Sequence, residues 1–409
     1  MSVAPSESRT EQKKRSASGQ KSASRQKSVS RQKSASRQKK VLALLAEQSD
    51  RRHALLITET TNVRYLTGFT GDSTALLLWS DGRTPRALAI SDGRFATQLD
   101  QQCEGLETVI REPSTTMPDV LGEQIAAIDR PVMVESATMT VDTFAKLEQA
   151  IDTHAKKGHR CELVRSGQKD PVRTVRQVKD AEEIAAIRDA IRAAEGVFAY
   201  LQNRISPDIS EFDLAADGEH VARQFGMLGW SFPAIVACGP AAALPHYEPG
   251  DRRMGDDSHV LIDWGVRGRD GYCSDMTRVL LRRKTPKRLD AIYDAVLKAH
   301  RAALAAIRPG VTGDEVDSAA RRVLEDAGYG KRFSHSLGHG LGLNVHEAPG
   351  LRPGSEDTLA AGMVVTVEPG VYLPDYGGVR LEDDVLVTED GAESLCRLPL
   401  EADAMRLDW

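Results

Sequence analysis

The sequence predicts an α+β domain preceded by a smaller α/β domain. Three observations carry that prediction. The stretches VLIDWGVRGRDGYCSDMTRVLL (260–281) and VVTVEPGVYLPDYGGVRLEDD (364–384) each read as two strands around a turn, with an acidic side chain on either side. Three apolar-periodic stretches, beginning near Asp180, Pro286 and Gly313, read as amphipathic helices that cover one side of a strongly bent antiparallel sheet. Ahead of these, residues 40–165 alternate short β-like runs with helical ones. A length of 409 residues fits two or three domains, and an apolar content of 41% is enough for a proper core.

Residues 1–39 differ in composition from the rest. A period-six repeat, RSASGQ, KSASRQ, KSVSRQ and KSASRQ, runs from Arg15 to Gln38 and contains almost nothing apolar. Twelve Lys and Arg against Glu7 and Glu11 give residues 1–40 a net charge of +10, which leaves −15 on the other 369 residues. Such a segment buries too little apolar surface to order itself, so it reads as a disordered, dispensable tail. Contact with nucleic acid or an acidic surface, or a transit peptide, are the alternatives. It lacks the apolar stretch of a secretory signal, and no run of about 18 apolar residues follows that would span a membrane.

From Lys40, VLALLAEQ begins as a helix. ALLIT, TALLLWS, RALAI, ETVI, PVMVES and CELVR read as strands, and the stretches near Gly93 to Gln102, Met117 to Ala127 and Val141 to Ile151 read as helices. A linker around Ser166 to Pro171 ends this domain, and the second domain runs from 171 to 409. Asp180 and Glu183 have capping-box spacing ahead of Ile184, Ile187, Ile191, Phe198 and Leu201, which predicts a long amphipathic helix. Two further helices are expected over about Pro286 to Ile307 and Gly313 to Ala327.

The first acidic hairpin, taken as symmetric about Arg269, makes Asp263 and Asp275 direct cross-strand partners with Cβ atoms roughly 4.5 to 5.5 Å apart. Two ionised carboxylates that close repel unless one is protonated or a cation lies between them. The second hairpin repeats the construction, with Glu368 and Glu382 each seven residues from Asp375. One acidic pair by a turn is ordinarily a solvated rim. Two pairs with a histidine between them point instead to a metal site. That histidine is His339, flanked by Gly338, Gly340 and Gly342, which let the backbone pack closely around it. Four carboxylates and one imidazole form a hard set suited to Mn²⁺ or Co²⁺, with Zn²⁺ also admitted. A phosphate loop is excluded, because neither Gly-Lys-Ser/Thr nor GxGxxG spacing is present.

The ordered set Asp263, Asp275, His339, Glu368 and Glu382, in the motifs LIDWG, SDMTR, GHGLGLNVHE, VEPG and RLED, resembles the dinuclear site of the pita-bread metallopeptidases. That group includes methionine aminopeptidase, prolidase and aminopeptidase P, and the resemblance covers the chain from about Asp170 onward. It implies a pita-bread (creatinase/aminopeptidase-like) catalytic domain holding two divalent ions, most readily Mn²⁺. Asp263 would bind one ion, His339 and Glu368 the other, and Asp275 and Glu382 would bridge. Creatinase, a relative without metals, has lost such ligands. The piece TTNVRYLTGFTGDSTALLL resembles the N-terminal domain of prolidases, aminopeptidase P and creatinase, which methionine aminopeptidases lack. The proline-directed branch, a peptide substrate with proline after its first residue, and a homodimer are therefore implied.

By spacing alone His246 and His346 are polar loop residues; in the resembling family, histidines in these contexts line the substrate pocket. Arg380 lies on the strand face of Glu382, where a salt bridge to a ligand carboxylate and a substrate contact are equally consistent. The expected mechanism is attack of a dinuclear-metal-activated hydroxide on the Xaa-Pro bond, with Glu368 carrying the proton to the leaving nitrogen. The rival readings are a methionine aminopeptidase-like enzyme and a non-catalytic binding protein on the same fold. Cys103, Cys161, Cys238, Cys273 and Cys396 are odd in number and form no Cys-x-x-Cys pair, which fits reduced thiols in the cytoplasm. Cys273 reads as a small core residue near the site.

Overall fold

A computed structural model describes residues 31–49, 53–82, 84–128, 130–155, 161–167, 170–255 and 257–409. The chain divides into two compact units between Val175 and Arg176, a few residues beyond the boundary expected from the linker.

The first unit opens with a helix over 31–48 (α1). Most of the repeat lies outside the described residues, but its end does not: residues 31–39, read from composition as disordered, are helical. Arg37 donates to the Tyr65 carbonyl at 3.0 Å and stands 4.0 Å over the Tyr65 ring, while Gln38 donates to the Leu66 carbonyl at 3.0 Å. Val41 and Leu45 on the same helix are buried. The polar repeat thus ends as the first turns of a helix anchored by its apolar second half.

A six-stranded mixed sheet follows, built from β1 (Ala54–Ile57), β2 (Ala75–Ser80), β3 (Pro85–Asp92), β4 (Glu107–Arg111), β5 (Val132–Val134) and β6 (Leu163–Arg165), in the order β4-β3-β2-β1-β5-β6. All six match the expected runs. The helices α2 (Thr60–Thr67), α3 (Ala96–Gln102), α4 (Met117–Ile128) and α5 (Val141–His154) complete an α/β layer. Leu56, Leu77, Ile90 and Val134 of the sheet form one core with Leu121, Ile125, Leu147 and Ile151 of α4 and α5. The short α6 (Pro171–Gln177) was not foreseen, nor was α2, whose N-cap Glu59 makes no side-chain cap bond.

In the second unit α7 (Ala181–Arg204) begins with the expected capping box, Asp180 and Glu183 satisfying each other's amides. Its apolar face is buried, and Phe198 stacks on Trp264 with centroids 4.8 Å apart. The Trp264 indole donates to the Ala194 carbonyl at 3.0 Å, so α7 is fixed against the residue beside Asp263. α8 (Glu211–Gln224), capped by Ser210, was not anticipated; α9 (Lys287–Ala306) and α10 (Gly313–Asp326) were. The strands are β7 (Gly229–Trp230), β8 (Ile235–Cys238), β9 (His259–Trp264), β10 (Val266–Arg267), β11 (Met276–Arg282), β12 (Gly338–Gly340), β13 (Glu347–Leu351), β14 (Val364–Val367), β15 (Gly370–Leu373), β16 (Gly377–Arg380), β17 (Asp383–Val387), β18 (Ala392–Ser394) and β19 (Arg406–Leu407).

The single bent sheet expected from sequence is instead divided. One sheet has the order β19-β11-β9-β8, a second β13-β12-β14-β17-β18, and β7-β10 and β15-β16 are two-stranded ribbons. One bridge, Thr277 to Glu382, links β11 of the first sheet to the start of β17 in the second. Beyond it the Asp275 amide is taken by the Asp384 carboxylate at 3.0 Å rather than by a main-chain carbonyl.

Candidate active site

The first hairpin differs in register from the symmetric expectation. Asp263 pairs with Thr277, not with Asp275, and Arg267 pairs with Cys273, so the turn centres on Asp270. Gly271 takes a φ of 88°, and its amide and that of Gly268 close the turn. The shift of two residues keeps Asp263 and Asp275 on one face, as diagonal rather than direct neighbours. Cys273 is buried core, as expected. The second hairpin has the expected register: Gly370 pairs with Arg380, Leu373 with Gly377, and Asp375 sits at the turn with φ 61°. The Leu381 amide reaches the Pro369 carbonyl at 3.4 Å, carrying that register down to Glu368 and Glu382.

His339 is the middle residue of β12, which runs between β13 and β14. A Cβ on Gly338 would strike the Thr366 carbonyl and one on Gly340 the Ala348 carbonyl, so glycines on both sides are needed to place the imidazole there. His339 Nε2 lies 3.4 Å from Glu368 Oε1 and 3.8 Å from Asp275 Oδ2. Ligand atoms of Asp275, His339 and Glu382 lie within 4.8 Å of one another. Four of the five expected ligands thus gather around His339. The fifth, Asp263, has one oxygen on the Arg380 guanidinium and the other buried without a hydrogen-bond partner.

Arg380 takes the salt-bridge alternative. Buried, it contacts Asp263, donates to the Tyr372 hydroxyl at 2.7 Å and to Thr277 Oγ1 at 3.1 Å. Thr277 in turn donates to Glu382 Oε2 at 2.6 Å. The Tyr372 hydroxyl meets His335 Nε2 at 2.8 Å, and His335 Nδ1 stands 4.0 Å from Glu368. Thr277, His335 and Tyr372 were missed. Thr277 is two residues from Asp275, so strand parity placed it on a ligand-bearing face; His335 lies in the loop ahead of β12, where no such signal exists. Asp384 was missed as well; its carboxylate accepts the Asp275 amide at 3.0 Å. His346 is exposed, with its ring 4.4 Å from that of His339 in an edge-on contact. His246 is exposed too; burial, above all, disfavours protonation of His335 and His346, and the nearby His246 adds to it at both.

Burial, then the neighbouring Glu382, Asp263, Asp384 and Glu368 charges, push the Asp275 carboxyl well above the usual range. Burial, then Glu382, does the same to Glu368; burial, then Asp263, raises Glu382 to about 8. Burial, and next His346, hold the His339 imidazole neutral down to about 4. Buried carboxylates that repel one another, an unpartnered Asp263 oxygen and a neutral imidazole form a donor set that fits divalent cations, which would let the acids ionise together.

Residues 185–389 match Metallopeptidase family M24, and residues 37–193 match the Creatinase/Prolidase N-terminal domain. The chain belongs to family M24: it is a metallopeptidase with a pita-bread catalytic domain behind a creatinase-type N-terminal domain. Among its relatives, the uncharacterized peptidase YqhT of Bacillus subtilis is 37% identical over 347 residues, 85% of this chain and 94% of that protein. The Xaa-Pro dipeptidase from Bacillus anthracis superposes with a TM-score of 0.82 at 32% identity, over 90% of this chain and 99% of that one. The X-Pro aminopeptidase from Thermotoga maritima MSB8 gives 0.75 at 32% identity, over 86% and 97%. No helix among the described residues is long and apolar enough to cross a membrane.

Proposed function

We propose that this metallopeptidase is an exopeptidase that hydrolyses the bond between an N-terminal residue and a following proline. The observation that carries the reading is the convergence of Asp275, His339 and Glu382, with Glu368 alongside, from three separate stretches of chain. In this reading Asp263, Asp275, His339, Glu368 and Glu382 hold two divalent ions, Mn²⁺ foremost. Such ions supply a water of lowered pKa and polarise the scissile carbonyl. Glu368, with Oε1 3.4 Å from His339 Nε2 at the edge of the cluster, carries a proton at its carboxyl oxygen to the leaving nitrogen. That nitrogen is a tertiary amide in Xaa-Pro, so no N–H donor is asked of the substrate. His346, edge-on to His339, and the exposed His246 orient the peptide. Arg380 holds Asp263 and, through Tyr372, His335.

The match to an N-terminal domain that prolidases carry, and the two Xaa-Pro enzymes above, support the proline preference over a methionine aminopeptidase. The same match supports a homodimer. Five free cysteines support a cytoplasmic setting. The test is metal analysis of the purified protein together with a panel of Xaa-Pro, Xaa-Pro-Ala and Met-Ala-Ser peptides. Cleavage of the proline peptides, lost on chelation and restored by Mn²⁺, is expected. Preferential cleavage of Met-Ala-Ser, or none with metal bound, would overturn the reading.

A further inference from the structure

His246 lies on the segment between β8 and β9, and one buried side chain grips that segment at two places. Glu211, the first residue of α8, is fully buried. Its Oε1 accepts the amide of Cys238, the last residue of β8, at 2.8 Å. Its Oε2 accepts the Tyr247 hydroxyl at 2.8 Å and the Gly250 amide at 3.4 Å. Main-chain bonds reinforce the return, from Glu211 N to Arg252 O at 2.9 Å and from Phe212 N to Gly250 O at 3.0 Å. Between the two grips the chain makes a 3-10 turn, Gly239–Ala243, and then exposes Leu244 and His246. The turn is seated on β16, because the Ala242 carbonyl fills the space that a Cβ on Gly378 would need. Gly378 is two residues before Arg380, the end of β16, which contacts Asp263.

We infer that Glu211 is a positioning residue that fixes His246 over the site by holding Cys238 and Tyr247 with one carboxylate. The inference rests on the proposed role of His246 as a substrate contact. Only a carboxylate offers acceptors in two directions with no donor among them; glutamine, in either orientation, would set its NH₂ against a backbone N–H, that of Cys238 or that of Gly250. Burial, and next the bond to Glu211, push the Tyr247 hydroxyl up to about 12, so it remains a donor throughout the neutral range. Without the grip an exposed loop side chain samples many orientations, and misplacing a reacting or orienting group by about 1 Å lowers rate by up to about a hundredfold.

The experiment compares Tyr247→Phe, Glu211→Gln and His246→Ala in the full, metal-loaded chain, with hydrogen exchange of the backbone as a readout independent of turnover. Tyr247→Phe and Glu211→Gln are each expected to lower kcat/KM for an Xaa-Pro peptide about tenfold with metal content unchanged. Exchange should quicken over 239–250 and not elsewhere. In the His246→Ala background, adding Tyr247→Phe should cost no further activity, because the group being positioned is already gone. Losses that multiply in the double variant, or exchange that stays unchanged, overturn the inference. If Glu211→Gln fails to fold, Tyr247→Phe alone decides, since that hydroxyl is half-buried. If His246→Ala keeps full activity while exchange still quickens in Tyr247→Phe, the substrate role of His246 fails, and a positioning role for catalysis fails with it.

Discussion

The Arg380 guanidinium is paired with the Asp263 carboxylate, 117 residues earlier in the chain. This arginine holds Asp263 and also reaches, through the Tyr372 hydroxyl, the histidine that faces Glu368. Its charge opposes a cation in the same cluster. Arg380→Ala is therefore expected to bind divalent metal no more weakly than the unaltered chain while losing about a hundredfold in kcat/KM. Metal titration by calorimetry beside steady-state kinetics checks both halves, and loss of metal affinity would contradict this account of the pair.

Asp275 lies at the centre of the acidic cluster, where burial and four neighbouring carboxyl groups act on it. Asp275→Asn keeps the shape and removes the charge that a cation needs. Metal retention after dialysis and peptidase turnover should both be abolished, as read by elemental analysis and a peptide assay. Full activity in this variant would contradict the assignment.

Residues 31–38 should matter for stability and not for chemistry. A chain lacking residues 1–30 keeps the bonds from Arg37 and Gln38 to the C-terminal end of α2, whereas one lacking residues 1–38 loses both. Each such bond contributes about 1 kcal/mol, so the shorter chain should melt at a lower temperature with kcat/KM unchanged. Equal melting temperatures would show that these contacts are idle.

Glu135 gives the first unit a pH dependence of known sign. Burial raises its carboxyl to about 7, although the Glu59 and Thr58 amides and the Asn62 side chain, at 2.8, 2.6 and 2.5 Å, pull the other way. Between the ordinary glutamate value of 4.5 and about 7 the folded chain keeps a proton that the unfolded chain has released. Its contribution to stability is therefore present at pH 4.5 and falls as pH rises toward 7, by on the order of 3 kcal/mol. Denaturant unfolding at a series of pH values should show this slope in the unaltered chain and a flatter one in Glu135→Gln.

Local patterns in the sequence held where the structure is local. The six strands of the first unit follow short runs that are mostly continuously apolar, and α7 starts at its capping box because Asp180 and Glu183 satisfy amides within one turn. α2 was missed because the chain entering it is held by Glu135, more than seventy residues away, through the Thr58 and Glu59 amides and the Asn62 side chain, and no local cap announces it. The helical end of the repeat was missed for a similar reason: its partners are carbonyls of α2, which composition does not display.

The sequence by itself determined that Asp275, His339, Glu368 and Glu382 come together, because strand parity and the glycines around His339 limit which residues can face a shared space. Only the tertiary structure decided their arrangement: Thr277 rather than Asp275 opposite Asp263, Asp263 turned to Arg380, and Tyr372 and His335 completing the chain of contacts. Which strand face a residue takes depends on its neighbours along the chain, whereas register and ion pairing depend on where a turn closes and on charges brought together from distant segments.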